Sequence, residues 1–263
     1  MLNRESEVNN MGYSSTAPGL ANWPKNPRCM SQLLRFNERH MLDHAAVTAG
    51  APWLTIVETT AGDGWDLAKG IVANNARACV QDDSTNANDQ TEHTYNLAAW
   101  NLNQTGSVLE FCVGAYFLLA TTSAFAAGLV VKSDGTTGLD KSSGPSYVVD
   151  GILFKGDASG AGLDLILEKD GADATYTNHY TDQATLSAVT WHEMAFRVMN
   201  HDGTNFEVWA FLDGDVITHK HLTSGVPNDV NLGFHLSHRG AAGNYVRWSH
   251  MGAALYQPGE YVA

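Results

Sequence analysis

A chain of 263 residues with 44% hydrophobic content is long enough for one large all-β domain or two small ones and apolar enough to bury a sizeable core. Its formal net charge of −13 leaves no basic stripe to neutralise phosphates, which argues against a nucleic-acid partner. Three cysteines, Cys29, Cys79 and Cys112, without CxxC spacing, imply neither a zinc cluster nor a paired disulfide framework.

Residues 1–50 are low in strand periodicity and carry Asn-, Ser-, Pro- and Gly-rich patches such as NNMGYSSTAPGLANWPKNP. They read as a partly extended N-terminal arm, of a type that is either disordered or docked on a partner; the family resemblance given below is what raises docking on a neighbouring subunit. Within it SQLLRFNERHML reads as a short helix lined by Met30, Leu33, Leu34 and Met41. Leu33, Leu34, Phe36 and Met41 are the residues expected to meet a partner. The opening MLNRESEVNN lacks the apolar stretch of a secretory signal, so synthesis in a reducing cytoplasm is expected.

Residues 51–263 read as one β-sandwich domain, with a first strand at 53–57. Residues 82–92, DDSTNANDQTE, read as an acidic loop before a strand at 93–97. Asp82, Asp83 and Asp89 are hard oxygen donors of the kind calcium takes, without EF-hand spacing. Residues 111–131, FCVGAYFLLATTSAFAAGLVV, carry no charge over a length sufficient to span a bilayer. Thr121, Thr122 and Ser123 interrupt that run, Gly114 and Gly128 weaken a continuous helix, and no Lys/Arg cluster flanks it. Two core strands, at 108–113 and 126–131, are expected instead, and no membrane partner. Residues 132–146 read as a surface excursion. Leu163, Leu165 and Leu167 then alternate with Asp164, Ile166 and Glu168, a strand whose charges are expected to face solvent.

The stretch WHEMAFRVMNHDGTNFEVWAFLDGDVI, residues 191–217, predicts two antiparallel strands and the start of a third. Met194, Phe196 and Val198 alternate with Glu193, Ala195 and Arg197. Gly203 supplies the positive φ of one turn, and Asp213-Gly214 makes the next. Trp209 and Phe211 share the face opposite the core set of their strand and are candidates for a glycan or subunit contact. His219 and His221 in THKHL lie on one face, where two imidazoles suit a metal. No metal is expected on balance; His219, His221, Asp82, Asp83 and Asp89 are the candidates were one held. His235, His238 and His250 fall in the closing strands.

The ordered set DGILFKGDASGAGLDLILEKDG (150–171), the Asp-Gly hairpin, THKHLTSGVPND (218–229), LGFHLSHRG (232–240) and NYVRWSHMGAALY (244–256) resembles laminin-G and concanavalin A-like sandwiches. A variant of these is common in tailed-phage virion proteins, and the similarity keeps its order over residues 50–257. It implies an all-β, concanavalin A-like antiparallel β-sandwich (jelly roll) with an extended N-terminal arm. It further implies a virion structural protein made in the host cytoplasm and carried on the capsid surface. The job expected first is capsid decoration, binding the major capsid protein and itself as a homo-oligomer. The alternative is a tail or fibre protein whose lectin-like sandwich binds a host surface glycan.

Glycosidases of this fold set two carboxylates about 5 Å apart in an E-x-D-x-x-E pattern. Asp164, Glu168 and Asp170 do not match it, and Asp164 and Glu168 are about 13 Å apart at strand rise. The Gly-rich pieces follow turns rather than opening helices, and Gly-x-Ser-x-Gly is absent. No catalytic residues and no cofactor are expected.

Overall fold

The computed structural model describes residues 30–35, 54–58, 80–84, 90–95, 99–121, 123–132, 139–140, 144–156, 160–171 and 178–258, with 30–35 and 54–58 described as backbone. Phe36, Met41 and Asp89 lie outside these residues. In chain order the strands are β1 (Met30–Arg35), β2 (Leu54–Glu58), β3 (Val80–Ser84), β4 (Gln90–Tyr95), β5 (Val108–Phe117) and β6 (Ala124–Lys132). A two-residue pair follows, β7 (Leu139–Asp140) and β8 (Gly144–Pro145), then β9 (Val148–Gly156), β10 (Gly162–Glu168) and β11 (Asn178–Thr185). The chain closes with β12 (Thr190–Asn200), β13 (Phe206–Leu212), β14 (Asp215–Leu222), β15 (Gly233–Arg239) and β16 (Asn244–Tyr256).

Two seven-stranded antiparallel sheets face each other. The first has the order β1-β16-β5-β12-β13-β14, with β3 also paired to β16; the second has the order β11-β10-β9-β6-β15-β4-β2. No helix occurs among the described residues, and none there is long and apolar enough to cross a membrane. The uncharged run at 111–131 is resolved as anticipated into β5 and β6, each in a different sheet.

Strict alternation builds the core. Leu109, Phe111, Val113, Ala115 and Phe117 of β5 meet Phe125, Ala127 and Leu129 of β6, with Met194, Phe196 and Val198 of β12 beside them. Phe111 and Phe196 stack at 5.0 Å between ring centroids, and each buried side chain of this size stabilises by about 1.5–3 kcal/mol. A bulge between Trp248 and His250 shifts the parity of β16. Val246 and Trp248 point inward before it, Met251, Ala253 and Leu255 after it. The two turns read from the sequence form as expected: Gly203 has φ 88°, and Asp213 and Gly214 have φ 53° and 92°, the paired positive values of a hairpin turn.

Three expectations are corrected. Residues 30–35 are a strand, not a helix: they pair with β16 in unbroken register from Met30↔Leu255 to Arg35↔His250. Consecutive strand residues alternate faces, so Leu33 and Leu34 cannot share one apolar stripe. The ladder to β16 overrides the local spacing. The expected acidic loop at 82–92 is strand at both described ends: Asp82 and Asp83 lie in β3, and Gln90 to Glu92 in β4. Asp164 and Glu168 do not face solvent; they are 0% and 2% exposed.

The outer face of the second sheet explains that last result. Leu139 and Tyr147, near the β7–β8 pair, pack on Ala126, Val130, Leu153 and Ile166 in a second apolar layer. Polar groups beneath it are paired, as burial requires. Lys155 Nζ lies 2.9 Å and His179 Nε2 2.8 Å from Asp164 Oδ2, while the Asp182 N–H donates to Asp164 Oδ1 at 3.0 Å. Burial pushes the Asp164 carboxyl up, but the His179 and Lys155 contacts outweigh it and hold it below its ordinary value. Tyr147 donates to Ser237 Oγ at 2.9 Å and lies 2.8 Å from His235 Nε2.

Candidate functional site

The outer face of the first sheet is organised differently. Its middle holds a small apolar cluster of Val108, Cys112, Ala195, Phe211, Ala254 and Tyr256, with Met199 and Trp209 packed against it. Burial and the neighbouring Glu193 and Glu110 push the Cys112 thiol well up, so it is a core sulfur and not a nucleophile. Phe211 is 3% exposed within this cluster and offers no platform to a ligand. Trp209 is half-buried. His219 of β14 stacks on its ring at 4.8 Å and 7°, and the Arg197 guanidinium of β12 lies 5.5 Å from the ring centroid. Because β13 runs between β12 and β14, these two groups reach Trp209 from opposite sides. Arg197 is itself fixed by Glu110, 3.0 Å away on neighbouring β5. The two aromatic residues singled out in the sequence are therefore occupied by the protein's own side chains.

Beside Trp209 the same face gathers charge. Glu207 of β13 is directly opposite His221 of β14, and Trp209 is opposite His219. Glu207 Oε1 lies 2.6 Å from His219 Nε2 and 3.7 Å from His221 Nε2. Its other oxygen, Oε2, lies 3.1 Å from His201 Nε2. Burial pushes the Glu207 carboxyl up, yet the hydrogen bonds from His219 and His201 and the nearby His221 bring it below its ordinary value. The His219 and His221 pairing anticipated from THKHL is real; their rings lie 5.0 Å apart. What the sequence reading missed is Glu207, although its place two residues before Trp209 on the outward parity was a usable signal.

A second constellation occupies one end of this face. Tyr116 of β5 stacks with Tyr245 of β16 at 6.3 Å and 11°, and Trp191 of β12 lies 5.6 Å from Tyr116. The Arg247 guanidinium sits 4.6 Å from the Tyr245 ring and 5.4 Å from the Tyr116 ring. Three chain reversals converge here. Leu118 N–H donates to Tyr245 O at 3.2 Å, Val189 N–H to Phe117 O at 2.8 Å, and Asn244 Nδ2 to Ser123 Oγ at 2.9 Å. Leu119 and Val189 remain 45% and 62% exposed, and Val189 holds φ 59°, a left-handed conformation costly for a β-branched residue. The spacing Tyr245-x-Arg247 and the position of Trp191 at the start of its strand were legible; their meeting with Tyr116 depends on sheet order.

The remaining candidates fall elsewhere. Asp82 is buried and accepts a 2.7 Å hydrogen bond from Trp248 Nε1, which makes it a support for the core and not an open calcium ligand. Asp83 pairs through its backbone with Tyr245. Leu33 and Leu34 lie opposite Gly252 and Met251 of β16. Of the closing histidines, His235 and His238 are buried on the second sheet, and His250 Nδ1 lies 3.0 Å from Ser249 Oγ. Glu168 sits over Gly171, where an added Cβ would meet its Oε1 at 2.0 Å.

Two antiparallel seven-stranded sheets in this order define a legume-lectin-like, concanavalin A-like β-sandwich. Solved structures agree. A protein of unknown function from Shewanella oneidensis MR-1 is 15% identical over 100% of this chain and 98% of its own, with TM-score 0.54. The Emp46p carbohydrate recognition domain, in its potassium-bound form, is 11% identical over 81% of this chain and 92% of its own, with TM-score 0.51. At these identities the likeness is one of fold. No protein-family model matches the chain, and no curated protein matches it.

Proposed function

We propose that this chain is a glycan-binding β-sandwich that works by recognition, without turnover, and that its sugar site is the aromatic end of the first sheet. The observation that carries this reading is the half-buried set Trp191, Tyr245 and Arg247, seated on buried Tyr116 and flanked by exposed Leu119 and Val189. Aromatic faces and edges cover the apolar C–H surface of a sugar ring, while a guanidinium supplies hydrogen bonds in a fixed fork. The fold supports the reading, since a carbohydrate recognition domain shares it. Binding without hydrolysis is supported by the fate of the carboxylates weighed for catalysis: Asp164 is tied to Lys155 and His179, and Glu168 is buried.

The resemblance to phage virion proteins supports reading such a sandwich as a tail or fibre module that faces a host surface glycan. Capsid decoration through Leu33 and Leu34 has less in its favour, because β1 is spent on pairing with β16 of its own chain. Glycan-array binding of the intact chain tests the proposal, with Trp191→Ala and Arg247→Ala as paired variants. Sugar-dependent binding that both variants lose supports it. Binding to capsid shells with no response to any glycan would replace it with decoration.

A further inference from the structure

We infer that Glu207, His219 and His221 form a binding site for a divalent transition ion of the zinc type, separate from the aromatic end of the face. The carboxylate oxygen and the two imidazole nitrogens all lie within 4.8 Å of one another. A tetrahedral ion with bonds of about 2.0–2.2 Å to nitrogen and oxygen holds its ligand atoms about 3.3–3.6 Å apart. Glu207 Oε1 and His221 Nε2 are already at 3.7 Å, and the 2.6 Å contact to His219 needs to open by only about 0.7 Å to reach that range. Two imidazoles with one carboxylate select zinc, copper or nickel over calcium and magnesium, which demand oxygen ligands.

The sheet preorganises the set. His219 and His221 are two residues apart on β14 and so project from one face. Glu207 faces His221 across the β13–β14 ladder. The supports a metal site needs are also present. Trp209 stacks flat on His219 and fixes its ring plane, and His201 holds the second oxygen of Glu207 at 3.1 Å. His219 and His221 are 43% and 73% exposed, so an ion reaches them from solvent. Three protein ligands leave a fourth coordination position for water or for an oxygen of a bound molecule.

Titration of the full-length chain with Zn²⁺ by calorimetry, and with Co²⁺ followed by its visible absorption, tests the assignment without any glycan present. One ion per chain is expected, with a four-coordinate Co²⁺ spectrum. His221→Ala and Glu207→Gln each weaken binding by about tenfold or more, and His201→Ala weakens it less, as loss of a supporting contact does. His221 is exposed and Glu207 partly buried, and retention of the thermal midpoint shows that both variants fold. The absence of stoichiometric binding would overturn the assignment, as would Zn²⁺ affinity unchanged in both His221→Ala and Glu207→Gln. Neither result bears on sugar recognition at Trp191.

Discussion

The two outer faces of this sandwich carry the same alternating sequence pattern and meet different fates. On the second sheet outward residues pack under the layer containing Leu139 and Tyr147, and charges placed there meet opposite charges: Lys155 and His179 meet Asp164, and Lys132 meets Glu92. On the first sheet the outward residues form a small apolar patch flanked by two sets of half-exposed groups, the histidines around Glu207 and the aromatics around Arg247. Period-2 alternation reports only that one side of a strand differs from the other. Which outward side is sealed depends on what the connecting segments fold over, and that separates the sealed face from the one proposed for recognition.

Disrupting the sealed face has the largest expected effect. Asp164→Ala removes the carboxylate that faces buried Lys155 and costs on the order of 3–5 kcal/mol, the range for breaking a buried ion pair. A lowered chemical denaturation midpoint with unchanged slope checks it. Trp248→Phe tests the support beneath the first sheet. It leaves buried Asp82 without its indole donor and costs about 1–3 kcal/mol. Gly114→Ala sits between them in kind: an added Cβ would meet Ser249 Oγ at 2.4 Å and His250 Cε1 at 2.5 Å. Overpacking of this sort costs about 1–3 kcal/mol, read as a drop in thermal midpoint.

The recognition face is expected to behave in the opposite way. Trp191→Ala lowers glycan affinity by about tenfold, equivalent to about 1.4 kcal/mol, while leaving the denaturation midpoint close to that of the unmodified chain. Stability and binding thus separate by face. A Trp191 variant that fails to fold would erase the distinction.

Acid sharpens the same comparison with the smallest effect. Asp164 and Glu207 both have folded carboxyls below their ordinary values. Their contributions are therefore complete above the unfolded values, about 3.9 for Asp and 4.3 for Glu. They are lost as pH falls through the lower folded values. Stability measured against pH should decline through this acidic window. Asp164→Asn should flatten the decline more than Glu207→Gln, since Glu207 stands on the more solvated face and is screened.

Much of the fold was legible. The hairpins at Gly203 and Asp213-Gly214, the splitting of 111–131 into two strands, and the ordered sandwich motifs all rest on local turn chemistry and period. Asp164 was misjudged because its partners, Lys155 and His179, arrive from neighbouring strands that no spacing within LDLILEKD announces; Glu168 was misjudged because its burial depends on what packs over the strand. Residues 30–35 were misjudged for a related reason, since β16 lies more than two hundred residues away. Of the site, His219 and His221 could be paired because they share a strand, and Glu207 carried a parity signal beside Trp209, whereas its meeting with the histidines and that of Tyr116, Trp191 and Tyr245 required the sheet order. Trp209 was visible as outward-facing, but its occupation by Arg197 and His219 was not.

The most direct test of the central claim uses the indole N–H signals in a nitrogen-resolved NMR titration with a glycan that the chain binds. Trp191 belongs to the proposed sugar site, and Trp100 and Trp248 are buried in the core. The account predicts that the Trp191 signal shifts in proportion to occupancy while those of Trp100 and Trp248 stay in place. Saturation of binding with the Trp191 signal unmoved would contradict it and place recognition on another surface.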